Sequence, residues 1–390
     1  MSYAFTAADV DFLIGSAGVD ALAEADALEL SPRTHLHDLG VARRLFGSNA
    51  AAVVETVLLR RRSVGKIANG RHWLYTDDAL QQATPTVVAR HRARRLTGRA
   101  VHDVTCSIGA ELAALVETCE PVVGSDIDPV RLRMARHNVS RAALLRADAL
   151  TPTTRDTVVI ADPGRRAGGK RTHDPAQLQP PLPDLIDACR GRDLVVKCAP
   201  GLAFDRLGWS GEVEIVSLDG GVREACLWSE GLADGPTPAT RRASVLSGDG
   251  TGWDITDTEP DEIPVQPPGR WIVNPDGAVV RAGLVRHYAA RHGLWQLDPQ
   301  IAYLTGDELP ADVRGFRILE QLKYSEKAVR QELGRRNCGT LEILVRGVDV
   351  DPAVLRPRLK LRGSESLSLV ISRVGRSAVA YVCEAPPPRG

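Results

Sequence analysis

Four aspartates stand at near-regular intervals in the middle of the chain: Asp103, Asp126, Asp148 and Asp162, separated by 23, 22 and 14 residues. Each closes a short apolar run. A carboxylate at the end of a strand, followed by a turn of small residues and a helix, is a layout for holding a nucleotide. Small residues let the backbone approach a ligand, and open α/β sheets bind ligands beyond the carboxyl ends of their strands. The first turn is His102-Asp103-Val104-Thr105-Cys106-Ser107-Ile108-Gly109-Ala110-Glu111. Asp126, in Gly124-Ser125-Asp126-Ile127, stands where an acid accepts both ribose hydroxyls, and Asp148 where one accepts from an adenine amine. Asp162 opens Asp162-Pro163-Gly164-Arg165-Arg166. Helix capping by aspartate accounts for one or two of the four, and poorly for all of them.

The elements that must position these acids follow from periodicity. Apolar runs at 100–104, 121–125, 143–146, 157–161, 193–198, 212–218 and 223–228 read as strands, with helical patterns at 111–118, 131–138 and 182–189 between them. Strand, helix, strand at this spacing requires crossovers and a parallel sheet. Only 219–222 separate the last two runs, which permits a hairpin and makes the final strand antiparallel. Upstream, residues 1–98 read as helical, with Ser31-Pro32 as a helix start, 72–75 as a strand-like break, and Asp77 or Asp78 as a cap. Downstream, 231–270 is rich in Pro, Gly, Asp and Thr and reads as a linker with two weak strands. A hairpin of 271–273 with 278–280, a helix near 281–292, and a terminal α+β module over 312–386 complete the pattern.

Composition narrows the function. The 390 residues carry 49 Lys+Arg and 49 Asp+Glu, which argues against binding nucleic acid by bulk charge but not against one basic face. Residues 1–40 hold seven acids and one base, whereas 41–100 hold twelve Lys/Arg and three acids. The clusters at 60–62 and 90–95 read either as solvated helix faces or as a groove that follows phosphates. Seven scattered cysteines without a C-x-x-C argue against a disulfide framework and a zinc site. No apolar run reaches the roughly 20 residues that span a bilayer, and the start lacks a signal-peptide pattern. A reduced, cytoplasmic protein with neither metal nor membrane partner is expected.

Residues 99–230 resemble the class I S-adenosylmethionine-dependent methyltransferases. The resemblance implies a Rossmann-like α/β sheet of seven strands, the last antiparallel, and S-adenosylmethionine as cofactor. It implies that Asp103, Thr105, Ser107 and Gly109 form motif I around the methionine part of the cofactor. Asp126, with Ile127 beside it, would hold the ribose, and Asp148 the adenine amine. Asp162, Pro163 and Arg165 would occupy the target-site motif D/N-P-P-x. Thr105 and Ser107 stand where glycines are usual, and Gly164 replaces the second proline.

Wider features are similar to bacterial methyltransferases with a C-terminal THUMP-like domain. They are Leu80-Gln81-Gln82-Ala83-Thr84-Pro85 about twenty residues before motif I, a basic helix, Asp-Pro-x-Arg-Arg after the fourth strand, and a small terminal module. This implies cofactor-side roles for Gln82 and Thr84 and an RNA partner, tRNA or rRNA, with no DNA expected. The expected organisation is a helical region over 1–98, a methyltransferase domain over 99–232, a linker with a small β/α segment over 233–311, and a THUMP-like α+β domain over 312–390.

Methyl transfer from a sulfonium needs an aligned nucleophile and a site without water. For an exocyclic amine, Asp162 held by Pro163 can accept an amine hydrogen and aim the lone pair. For a pyrimidine ring carbon, a cysteine nucleophile is needed. Cys198 is the one candidate, with Lys197 placed to favour a thiolate, although a small buried strand-end residue is the preferred reading. The loop residues Arg165, Arg166, Lys170 and Arg171 are placed to grip phosphate, and His173 reads as a loop histidine. Residues 312–390 hold fifteen Lys/Arg against nine acids, which suits RNA contact. RNA methylation leads. A methyltransferase of protein or small molecules, and a cofactor-binding scaffold without chemistry, stay open.

Overall fold

Seven strands carry the four aspartates. In the computed structural model they are β1 (Val101–Asp103), β2 (Val122–Asp126), β3 (Ala143–Arg146), β4 (Val158–Ala161), β5 (Leu194–Cys198), β6 (Glu212–Leu218) and β7 (Gly221–Trp228). The structure describes residues 3–385 except 152, 165, 168–169, 172–173, 203, 205–206, 234–236 and 311–312, and only the backbone of 166–167 and 170–171. The strand order is β6-β7-β5-β4-β1-β2-β3. The strands β3, β2, β1, β4 and β5 are parallel neighbours, and β7 runs antiparallel to β5. Every residue of β4 and β5 is buried, as central parallel strands covered on both faces require. The seven expected strands are present, the last antiparallel, within a sheet of nine. Asp219 and Gly220, both at positive φ, make the β6–β7 turn.

By contacts the chain divides into two units: residues 1–218 with 223–234 and 246–251, and residues 219–222, 235–245 and 252–390. In the first, α1 (Ala7–Ile14), α2 (Ser16–Asp26), α3 (His35–Phe46) and α4 (Ala50–Ser63) share one apolar core with α5 (Asp77–Gln82), α6 (Thr86–Arg95) and the sheet helices α7 (Ala110–Thr118) and α8 (Pro129–Asn138). Three local expectations change. α3 starts at His35, not at Pro32, because Ser31 and Thr34 bond each other's backbone and hold a turn between them. Thr76, not an aspartate, caps α5. Among the described residues, 73–75 pair with no strand; the Asn138 amide bonds both backbone groups of Leu74.

Most residues of the basic clusters are tied to partners within this unit, while Arg62 and Arg94 stay exposed. Arg61 reaches three carbonyls and Asp26, and Arg62 pairs with Asp77. On α6, Arg90 pairs with Glu117 on α7, and His91 and Arg95 meet Glu214 and Glu212 on β6, with Arg95 lying 3.8 Å over the Trp228 ring. The alternating glutamates of β6 face a helix rather than water.

In the second unit, β8 (Arg241–Leu246) and β9 (Gly252–Thr256) precede a seven-stranded sheet. Its strands are β10 (Trp271–Val273), β11 (Trp295–Gln296), β12 (Leu304–Gly306), β13 (Gly315–Lys323), β14 (Cys338–Arg346), β15 (Glu365–Val374) and β16 (Ser377–Glu384), in the order β11-β12-β10-β13-β16-β15-β14. The hairpin expected from 271–280 is absent. Asp276 caps a helix, α10 (Gly277–Ala282), whose Ala278 and Val279 are fully buried, and β10 pairs with β12 and β13 instead. A second helix, α11 (Val285–Arg291), follows Gly283. Two more, α12 (Glu326–Arg335) and α13 (Pro352–Leu359), cover one apolar core of the sheet. All seven cysteines are buried, and none is in a disulfide. Among the described residues no helix is long and apolar enough to cross a membrane.

Candidate active site

Parallel register brings the carboxyl ends of β1, β2, β3 and β4 to one edge, and a cleft of about 690 Å³ lies there. Asp103, Asp126, Asp148 and Asp162 all line it, as do Thr105, Ser107, Ile127, Gln82 and Thr84. Gly109 does not line it. It sits at φ 89° and starts α7, where a Cβ would come within 3.1 Å of Val139. Pro163 lines a neighbouring cavity of about 240 Å³. Arg165 and His173 lie outside the described residues, as do the side chains of Arg166, Lys170 and Arg171.

The departures from motif I have structural reasons. Ser107 takes φ 49°, the left-handed region a glycine would occupy more readily. Its N–H donates to Asp126 at 3.0 Å, and the N–H of Asp128 donates to the other Asp126 oxygen at 2.9 Å. The Asp126 carboxylate is thereby fixed at the strand end with lone pairs to spare. Thr105 does what glycine could not. Its hydroxyl lies 3.4 Å from the Asp103 carboxylate and accepts from the N–H of Asp162 at 2.7 Å. Asp148 accepts from the N–H of Leu150 at 2.9 Å, and Ile127 is 65% exposed, an apolar surface beside the acids. Behind the turn, His102 bonds Thr154 and Ser125, and burial with Arg192 nearby lowers its pKa to about 4, so it stays neutral. Burial, with Glu111 close by, raises the pKa of Asp103 to about 7.

Beneath the cleft lies a charged network. Arg92, 2% exposed, donates to Glu111 at 2.6 Å and to Glu224. Lys197, 6% exposed, donates to Asp162 at 2.6 Å and stands 3.7 Å from Glu111. Burial opposes the Lys197 charge, but Asp162 and Glu111 outweigh it and hold its pKa above the usual lysine value. The lysine expected to favour a Cys198 thiolate therefore spends its charge on two carboxylates. Cys198 itself lines the smaller cavity. Sequence reasoning gave no site role to Arg92, Glu111 or Glu224. One signal was available: Arg92 shares a helical face with Val88, Ala89, Ala93 and Leu96, so it lies on the apolar stripe.

A parallel sheet of this order, with one antiparallel strand inserted between β5 and β6 and acids on the carboxyl ends of its first four strands, defines the class I methyltransferase fold. The chain is 58% identical to an S-adenosylmethionine-dependent methyltransferase of Mycobacterium tuberculosis, over 87% of this chain and 99% of that protein. A crystal structure from Porphyromonas gingivalis W83, described as a methyltransferase, superposes with a TM-score of 0.73 at 19% identity, covering 98% of this chain and 99% of that one. Residues 313–385 match a family described as THUMP domain-like, and residues 6–63 match a domain of unknown function. The chain belongs to the S-adenosylmethionine-dependent methyltransferases. It is an enzyme of that class, and S-adenosylmethionine is its cofactor.

The cleft fits such a cofactor chemically. S-adenosylmethionine carries a sulfonium and an ammonium, and this wall holds Asp103, Glu111, Asp126 and Asp148. Glu111 is 5% exposed, and its two oxygens meet Arg92 at 2.6 Å and Lys197 at 3.7 Å, so it adds negative charge to this wall while tied to two cations.

Proposed function

We propose that the protein methylates a base in structured RNA, tRNA or rRNA, in the cytoplasm. The observation that carries the reading is the place of Asp162. It stands in the wall common to the cofactor cleft and the smaller cavity, bonded to Lys197 on one side and to Thr105 through its backbone. Asp126 takes the ribose hydroxyls, Asp148 the adenine amine, and Ile127 the adenine face. Asp103, Thr105, Ser107, Gln82 and Thr84 surround the methionine part, and Gly109 shapes the turn. The bound cofactor supplies an electrophilic methyl group. Asp162 accepts a hydrogen from the acceptor amine and aims its lone pair, Pro163 limits the backbone, and Lys197 positions the carboxylate. Arg165 completes the target motif. Seven thiols without a disulfide suit a reducing compartment.

Support for RNA comes from the THUMP domain-like match and from a groove in that region. Arg330, Lys360 and Arg362 line a cavity of about 290 Å³ beside the ends of α12 and α13, and no ion pair engages them among the described residues. Reversing Arg330 and Arg362 to glutamate is expected to weaken tRNA or rRNA binding at least tenfold and to leave S-adenosylhomocysteine affinity within twofold, measured by filter binding and calorimetry. Unchanged RNA binding would remove this groove from the reading. Charge reversal is the better test than truncation, because β10 pairs with β13 and a cut at 311 would sever one sheet.

The decisive experiment is mass spectrometry of nucleosides from tRNA and rRNA of a deletion strain and its parent. A methylated base that disappears, and returns with the wild-type gene but not with Asp162→Ala, is the expected result. No change in either RNA pool would overturn the RNA reading and turn attention to protein or small-molecule acceptors.

Glu111 gives a separate check on the cofactor side. Glu111→Gln keeps a hydrogen-bond acceptor for Arg92 but removes one negative charge from the wall of the cleft. It should weaken S-adenosylhomocysteine about tenfold, the scale of one charge-assisted hydrogen bond. Affinity for 5′-methylthioadenosine, which lacks the amino-acid part, should not change. Equal weakening of both ligands would show that Glu111 only supports the fold.

A further inference from the structure

We propose that the smaller cavity receives the acceptor nucleotide, with a backbone phosphate of that nucleotide held by Lys66 and Arg223. The inference rests on the reading of Asp162 as the residue that presents the acceptor.

The cavity shares Gln82, Thr84, Asp162 and Lys197 with the cofactor cleft, so a group bound there lies against the same carboxylate the cofactor cleft touches. Beyond that common wall, the cavity adds Lys66 and Arg223, with Pro85, Pro163 and Leu178 as apolar surface. Its two acids are already spoken for: Lys197 holds Asp162, and Arg92 holds Glu224. Its two remaining cations are not neutralised. The Lys66 ammonium donates to the carbonyls of Leu80 and Gln81 at 2.7 and 3.0 Å, and Arg223 donates to the carbonyl of Leu218 at 3.4 Å. Neither forms an ion pair among the described residues.

Carbonyls satisfy N–H groups without cancelling charge. Lys66 is half-buried, and burial lowers its pKa, with Arg223, Lys197 and Arg62 pushing the same way. Arg223 is exposed on the same cavity; the two like charges repel, and an anion that meets both relieves that repulsion. A phosphodiester is the anion that an RNA acceptor brings within one nucleotide of its base, and it offers two oxygens for an ammonium and a guanidinium. A neutral peptide or sugar acceptor would leave the cations unmatched.

The test uses the full chain saturated with S-adenosylhomocysteine. The four nucleoside 5′-monophosphates and the four matching nucleosides are titrated by ligand-observed NMR. At least one monophosphate should bind saturably and at least fivefold more tightly than its nucleoside. Arg223→Ala, which loses only a long bond to one carbonyl, and Lys66→Ala should each weaken that monophosphate at least fivefold, with S-adenosylhomocysteine affinity within twofold of wild type. The proposal is overturned if no monophosphate binds, or if Arg223→Ala binds it as wild type does. The RNA reading fails separately. If the deletion strain lacks an RNA methyl group while no monophosphate binds, RNA is the acceptor and its phosphate is held elsewhere. If monophosphates bind through Lys66 and Arg223 but no RNA methyl group is lost, the cavity stands and the acceptor is a free nucleotide. If neither holds and a peptide pool is methylated, both are wrong.

Discussion

Asp162→Ala should abolish methyl transfer while sparing the cofactor site. The expected loss in kcat is at least about 100-fold, the scale of removing a positioned group that acts in the transition state. Affinity for S-adenosylhomocysteine should stay within twofold, because Asp126 and Asp148 keep their own backbone partners. Transfer of labelled methyl from S-adenosylmethionine to RNA, read beside calorimetry, separates the two effects. Asp162→Asn retains a carbonyl acceptor and should lose less than the alanine variant. An alanine variant that turns over normally would remove Asp162 from the chemistry. One that no longer binds S-adenosylhomocysteine would place it in the cofactor site instead.

Arg92→Met should cost more stability than any other single exchange in the first unit. Arg92 is almost wholly buried, and its guanidinium bonds Glu111, Glu224 and the Cys226 sulfur. Burial works against its charge, but these partners more than compensate, and it stays protonated. Methionine fills much of the volume but strands two buried carboxylates. Breaking such a pair from one side costs about 3–5 kcal/mol. Urea titration followed by far-UV dichroism should show the midpoint falling by that loss divided by an unchanged m-value. The triple exchange Arg92→Met, Glu111→Gln, Glu224→Gln should recover part of the loss, since it leaves no unpaired charge. A single-variant loss under about 1 kcal/mol would mean that the glutamates find other partners or take up protons.

The carboxyl edge of the sheet, with its four aspartates, was legible because its signals are local. Each aspartate follows an apolar run and precedes small or helix-starting residues, so position along the chain maps directly onto one edge. The network beneath was not legible for a corresponding reason. Arg92 sits in a run of basic residues, and charge count alone assigns such a run to water. Glu212 and Glu214 alternate with valine and isoleucine, which is the pattern of a half-exposed strand, yet both are buried against α6. Pairing across about 120 residues decides these cases, and no window of sequence contains it. The turn at 276–277 failed differently: a short apolar run after Asp-Gly suits a strand or a helix equally, and the Asp276 cap decides for helix.

The Thr105 hydroxyl joins two parts of the enzyme that are usually discussed separately. It touches the carboxylate at the head of the cofactor turn and takes the backbone proton of Asp162. A glycine there would leave the two loops to fluctuate on their own. With the hydroxyl in place, ordering one loop removes freedom from the other, so part of the entropy cost of the second binding event is met by the first. Cofactor and acceptor should therefore bind with positive cooperativity, each raising the other's affinity by the same factor. Thr105→Gly would uncouple them while leaving the Asp103 and Asp162 carboxylates in place.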